Sequence, residues 1–276
     1  ADLFDLGNRP EDAALVADLP SGETIFQSVD GFPALISDPW LNGRLTTLHA
    51  CSDLWSMGGL VLSAQAVITL PRVSGRIQQE LLAQSLQGIK SALYPQGAKL
   101  IGGHTLESRD LSPQPSSLGI QIALCVNGVL VNGSRPWIKG GFQPGDELLL
   151  SRPLGSGVLF AAARSGKIDP KYLDKALNQL SFSQHHLVES LLKIQKKKNN
   201  LPIIHACTDI TGFGLLGHLE EMITASNAER YKHGLSLLRI ELQAETIPHF
   251  QGVLRLLSDG YSSTLAPSNR QAWRLL

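Results

Sequence analysis

The chain has 276 residues, enough for two domains of ordinary size. At 43% apolar and 17% charged it can bury real cores and is not a disordered chain. Its 24 basic and 24 acidic residues cancel, which excludes a nucleic-acid binder that relies on bulk charge.

Residues 23–30 read as a strand ending on Asp30, and residues 42–57 as a helix with Asp53 near its end. Residues 60–70 form an apolar run expected to be a buried strand. Residues 75–93 have helical period through Ile77, Leu81, Leu82, Leu86 and Ile89. Lys99-Leu100-Ile101 is a short strand running into Gly102-Gly103-His104-Thr105. Residues 117–126 are a further strand, closed by an Asn127-Gly128 turn. Residues 133–147 are rich in Gly and Pro and mark a boundary. Beyond it come a strand at 147–151, a helix at 158–165 and helices around 171–195. A helix at 213–225, a strand at 235–242 and a helix near 250–257 follow. The pattern is α+β in two domains, 1–135 and 136–276. No apolar run approaches the about 18–20 residues of a membrane span. Cys51, Cys125 and Cys207 are odd in number and widely spaced. They read as reduced thiols of a cytoplasmic protein, and without a Cys-x-x-Cys no structural zinc site is expected.

The densest chemistry lies in Thr208-Asp209-Ile210-Thr211-Gly212-Phe213-Gly214-Leu215-Leu216-Gly217-His218. A carboxylate precedes glycines, whose bare backbone lets N–H groups approach an anion. After Gly217 the pattern turns amphipathic and reads as a helix start. Alone, this is a phosphate or metal turn, with His218 in a structural role. Asp12, Asp30 and Asp53 add further carboxylates where the chain is expected to turn. Any one of them alone is more simply a helix cap or an Asx turn. As an ordered set they favour magnesium and nucleotide, because magnesium takes hard oxygen ligands, one or two carboxylates with phosphate oxygens and water.

The ordered motifs resemble one family. They are Ser28-Val29-Asp30-Gly31-Phe32, Ile36-Ser37-Asp38-Pro39, Gly43-Arg44 and Ser52-Asp53-Leu54-Trp55-Ser56-Met57-Gly58-Gly59, then Gly102-Gly103-His104-Thr105 and the Asp209 stretch. The set is similar to selenophosphate synthetase (selenide, water dikinase), within the aminoimidazole ribonucleotide synthetase-like superfamily. The resemblance runs from about Glu11 to about Asn269. It implies an α/β N-terminal domain that joins a dimeric β-barrel, with ATP near the dimer interface, and a second α+β domain. It implies magnesium on Asp12, Asp53 and Asp209, and nucleotide at Asp30, Asp53 and Gly103-His104-Thr105. The reaction implied is selenide, ATP and water giving selenophosphate, AMP and phosphate. The implied partners are ATP, selenide and a second copy of the chain.

The family also carries a Gly-rich segment with a reactive Cys and an essential Lys upstream of the first aspartate motif. Here only eleven residues precede Asp12, the first lysine is Lys90 and no cysteine precedes Cys51. The catalytic residues are therefore unassigned. Both ends are expected to be trimmed, and the second domain to be incomplete at its end. His49 stands where many members have Asn, and Gly31 replaces a usual Phe. Some bacterial members are fused to a flavin-dependent, NADH-dehydrogenase-like module, so a larger parent with such an oxidoreductase fits the resemblance. Two alternatives stay open: another ATP-using member of the superfamily, and a non-catalytic nucleotide-binding or dimerisation module of a fusion protein.

Overall fold

The computed structural model describes residues 11–108, 119–130, 134–197 and 203–275. Residues 117–118 of the expected strand and Gly133 of the expected boundary lie outside the described residues. The chain divides into two compact units, one of Pro10–Pro136 with Ser181–Ile203, the other including Trp137–Leu180 and Ile204–Leu276.

In the first unit, β1 (Ala14–Asp18), β2 (Thr24–Pro33), β3 (Leu60–Leu70), β4 (Lys99–Glu107) and β5 (Gln121–Leu130) form one five-stranded sheet. Its order is β1-β2-β5-β3-β4. β3 and β4 pair in parallel, as a crossover through a helix requires, and the other neighbours pair antiparallel. The sheet is mixed, and the α+β class holds.

Two helices cover one face. α1 (Pro39–Ser56) starts where Asp38 Oδ1 accepts the Leu41 N–H at 2.8 Å, with Pro39 in the first turn. A carboxylate cap and a proline at the start are both favourable there. Inside α1, Thr46 and Thr47 are fully buried, and their hydroxyls donate back to the Asn42 and Gly43 carbonyls. α2 (Gly75–Leu93) buries Leu81, Ile89, Ala92 and Leu93. Between helices and sheet lie Phe26, Leu54, Ile68, Ile122, Leu124 and Val126, each almost wholly buried. Each such side chain contributes about 1.5–3 kcal/mol relative to exposure.

Two sequence expectations fail in this sheet. Asn127-Gly128 is no turn: both residues lie inside β5, opposite Gln27 and Phe26. Gly128 is needed for close approach, since a Cβ there would strike the Leu54 side chain and the Leu60 carbonyl. Asp30-Gly31 is no turn either, because β2 runs on to Pro33.

α5 (His185–Lys197) belongs to this same unit. Lys196 and Lys197 lie in its last turn, where positive charge suits the helix dipole, and Lys198 lies outside the described residues. The second unit contains α3 (Ser156–Arg164), α4 (Pro170–Leu180), α6 (Gly214–Lys232), α7 (Val253–Ser258) and α8 (Ala266–Asn269). Val158, Leu159 and Ala162 of α3 meet Ala176 of α4, Phe250, and Val253 and Leu256 of α7 in one apolar core. The strands expected at 147–151 and 235–242 do not form. Leu149 is 91% exposed and Leu237 60%, so neither stretch has a fully buried apolar face. In the described part of this unit, strand pairing is limited to the isolated parallel bridge Leu154–His249.

Candidate functional site

The last turns of α1 present His49, Ser52, Asp53 and Ser56 along one helical stripe, at spacings of three and four residues. β2 presents Ser28, Asp30 and Phe32 on its helix-facing side, because alternate strand residues share a face. The two rows meet. Ser28 Oγ donates to Asp53 Oδ2 at 2.5 Å. His49 Nε2 lies 2.7 Å from Asp30 Oδ2, and its ring sits 5.1 Å from that of Phe32. Ser56 Oγ lies 2.7 Å from Asp12 Oδ2 and 2.8 Å from the Asp53 carbonyl. The Asp12 segment is pinned by the Ala13 N–H, which donates to Met57 Sδ at 3.2 Å.

This seam is electrostatically poised for a cation. The C-terminal end of a helix carries partial negative charge, and α1 has no basic residue in its last turn. Asp53 adds a carboxylate there, and Asp12 approaches the same turn through Ser56. Both offer the hard oxygens that magnesium takes, one or two per ion, beside phosphate oxygens and water. Among the described residues no three His, Cys, Asp or Glu side chains form a group that would hold a metal by themselves.

Asp30 titrates below its ordinary value. Burial pushes its carboxyl up, but the hydrogen bond and charge of His49 and the Gly31 N–H together outweigh that. Cys51, buried on α1, is pushed up to about 12, first by burial and also by the charge of Asp53, with a Gln96 contact acting in the opposite sense.

Gly103, His104 and Thr105 lie in β4, at the sheet edge opposite β1 and three strands from β2. The strand does not end at Ile101 but runs on through these residues, which pair with Ala66, Val67 and Ile68. Leu86, Lys90 and the run Gly102, Gly103, His104 and Thr105 line an open cleft of about 430 Å³. Within one unit the structure thus gathers Asp12, Asp30 and Asp53, and sets Gly103-His104-Thr105 at a different strand.

Asp209 belongs to the second unit. Its turn is held by the Cys207 N–H to the Ile138 carbonyl at 2.9 Å and by Asn269 Nδ2 to the Gly212 carbonyl at 2.9 Å. α6 begins at Gly214, with φ +70°, within one residue of the start expected at 213 and ahead of the amphipathic stretch after Gly217. Two amides of the turn are already committed: Thr211 N–H to His218 Nε2 at 3.1 Å, and Gly214 N–H to the Thr211 carbonyl at 3.1 Å.

Sequence reading passed over Ser28 and Ser56 and gave His49 no task. The signals were present: Ser28 alternates with Asp30 on a strand, and His49 and Ser56 flank Asp53 at helical spacing.

Comparison with known proteins agrees with this frame. The N-terminal domain of AIR synthase related protein matches residues 10–130, and the C-terminal domain matches residues 143–241. A selenide, water dikinase of Aeromonas salmonicida is 33% identical over 225 residues, 80% of this chain and 58% of that protein. One from Nitratidesulfovibrio vulgaris is 29% identical over 265 residues, 96% of this chain and 67% of that protein. One from Myxococcus xanthus is 31% identical over 255 residues, covering 92% and 64%. The chain thus spans between 58% and 67% of the length of these relatives. In fold it is similar to AaThiL complexed with AMPPCP and TMP, with a TM-score of 0.65 and 17% identity, covering 93% of this chain and 74% of that one. It is also similar to hydrogenase maturation protein HypE in complex with ATP, with a TM-score of 0.63 and 18% identity, covering 99% and 78%. The chain belongs to the AIR synthase related family, and its sequence relatives there are selenide, water dikinases.

Proposed function

We propose that this chain is the nucleotide-binding and phosphoryl-transfer part of a selenide, water dikinase, an ATP-dependent phosphotransferase that converts selenide, ATP and water to selenophosphate, AMP and phosphate. The observation that carries the reading is Asp53, set in the last turn of α1, gripped by Ser28 and joined through Ser56 to Asp12. Its similarity to selenide, water dikinases supports it, and so do the AMPPCP complex of AaThiL and the ATP complex of HypE, which share its fold.

Phosphoryl transfer asks a protein for positioning and charge neutralisation more than for covalent chemistry. In this reading Asp12, Asp53 and Asp209 would hold Mg2+, which when bound neutralises triphosphate charge. Ser28 and Ser56 fix the carboxylate orientations. His49 and the Gly31 N–H keep Asp30 ionised, ready to accept hydrogen bonds from the nucleotide. Gly103, His104 and Thr105 contact the nucleotide along β4, where Lys90 adds a cation to the cleft. Residues 1–135 form the nucleotide, magnesium and dimerisation domain, and residues 136–276 the second.

The same reading makes the chain a homodimer that closes a β-barrel. The sheet face turned away from α1 and α2 supports it. There Val29 is 69% exposed, Val67 43% and Leu106 43%, more apolar surface than a solvated face requires. The three free cysteines suit a cytoplasmic setting, and no described helix is long and apolar enough to cross a membrane.

Calorimetric titration with a non-hydrolysable ATP analogue, with and without Mg2+, tests the site, and magnesium-dependent binding is expected. Selenide-dependent AMP release by the full-length protein tests the reaction. A protein that makes no AMP with selenide is not a selenide, water dikinase.

A further inference from the structure

The turn that carries Asp209 is organised around one imidazole. His218, on the second turn of α6, is 5% exposed. Its Nε2 accepts the Thr211 N–H at 3.1 Å and lies 3.4 Å from the Thr211 hydroxyl. An imidazole nitrogen that accepts a hydrogen bond carries no proton, so the neutral ring holds its proton on Nδ1. Glu221 Oε2 stands 3.8 Å from Nδ1, too far for a hydrogen bond but near enough for its charge to favour the proton there. Lys139 Nζ holds that same oxygen at 3.1 Å. The Phe213 ring packs 5.8 Å from the imidazole. The Thr211 amide is thus tied by a hydrogen bond to His218 on α6, and the charge of Glu221, itself paired with Lys139 at the start of the second unit, faces the other ring nitrogen.

We infer that His218 is a positioning residue for the nucleotide site: as the Nδ1–H tautomer it clamps the Thr211 amide and so fixes the turn from which Asp209 reaches the magnesium–nucleotide. The inference rests on the reading of Asp209 as a magnesium ligand. It also assigns the Thr211 N–H a task other than phosphate binding, since that amide faces the ring.

Two measurements test it. In the ligand-free chain labelled with 15N-histidine, His218 is expected to show an unprotonated Nε2 and a protonated Nδ1, with slow exchange of the Thr211 amide. An Nε2–H tautomer, or a freely exchanging Thr211 amide, overturns the inference. Second, His218→Leu removes the acceptor, and magnesium-dependent affinity for the ATP analogue is expected to fall about tenfold, the scale of one lost hydrogen bond. His218→Gln places Oε1 toward the Nε2 position and is expected to recover most of that loss. Equal affinity in all three proteins, or equal loss in both variants, overturns it. If His218→Leu does not fold, the Gln variant and the tautomer decide. Failure of the unsubstituted chain to bind the analogue would remove the magnesium–nucleotide reading instead, while tautomer and exchange, read without ligand, would still judge the clamp.

Discussion

Ser28 on β2 donates a hydrogen bond of 2.5 Å to Asp53 on α1, so the carboxylate at the end of the helix is aimed by the strand beside it. Asp53→Asn keeps the shape and the hydrogen bond but removes the charge. Magnesium-dependent nucleotide affinity is expected to fall at least about tenfold, since contacts to charged groups are worth about 1.5–3 kcal/mol. The melting temperature should change little. Unaltered affinity by calorimetry would remove Asp53 from the magnesium set. Ser28→Ala, which frees the carboxylate to turn, should cost less affinity than Asp53→Asn.

The Asp30–His49 contact sets a pH dependence. Asp30 is held below the ordinary carboxylate value of 3.8 despite its burial. A carboxyl lowered on folding stabilises the fold at pH above the unfolded value, and that contribution is lost as pH falls through the lower native value. The Asp30 carboxylate's contribution should therefore be present above its unfolded value and be lost below about pH 4. His49→Ala removes the largest lowering influence and leaves the burial. Carboxyl 13C titration should then show Asp30 rising toward or above its ordinary value. No rise would mean that His49 does not hold the carboxylate.

α1 and α2 cross so closely that a Cβ on Gly88 would overlap the Trp40 carbonyl, a backbone atom that cannot yield without moving the helix. Gly88→Ala should destabilise by at least about 1–3 kcal/mol, the usual scale of overpacking, read by urea unfolding. Gly75 opens α2 with nothing near its absent Cβ. Gly75→Ala should instead be neutral or stabilising, by up to about 0.5–1 kcal/mol. Equal destabilisation by both would contradict the crossing geometry.

Where one face of an element is buried, the sequence reading was close. The runs expected over 60–70 and 75–93 are β3 and α2 to the residue, because each has a single apolar face packed by its partner. α1 begins three residues earlier than its apolar pattern, at the Asp38-Pro39 cap that the pattern does not contain. Asn127-Gly128 misled because a hairpin signal is local, whereas Gly128 is dictated by Leu54 and the Leu60 carbonyl, far away in sequence. The stretches expected as strands at 147–151 and 235–242 have apolar residues but, among the described residues, no strand to pair with. At the candidate site, Asp12, Asp30 and Asp53 stand out in the sequence and the fold gathers them in one unit, while Asp209 belongs to the other. The partners Ser28 and Ser56 do not stand out, because serine carries no signal until a fold places it beside a carboxylate.

Cys51 should be chemically silent. It is fully buried, and its thiol is pushed up to about 12, so almost no thiolate exists at neutral pH. A thiol reagent should modify the partly exposed Cys207 in the folded chain and reach Cys51 only on unfolding. Rapid labelling of Cys51 in native conditions would show that the α1 core opens.

The uncovered face of the sheet leads to a test of assembly. β2, β3 and β4 turn Val29, Val67 and Leu106 away from the helices, and all three remain exposed in the single chain. Apolar area at about 25 cal/mol per Å² gives a second copy reason to cover this face. Val67 is paired with His104 in the β3–β4 register, so the proposed assembly face adjoins a proposed nucleotide contact. Val67→Asp should leave the circular dichroism unchanged, since the side chain points outward, yet shift the light-scattering mass at micromolar protein from dimer to monomer. Nucleotide affinity should fall with it. A native chain that scatters as a monomer, or a Val67→Asp dimer of unchanged mass, would take this face out of the assembly.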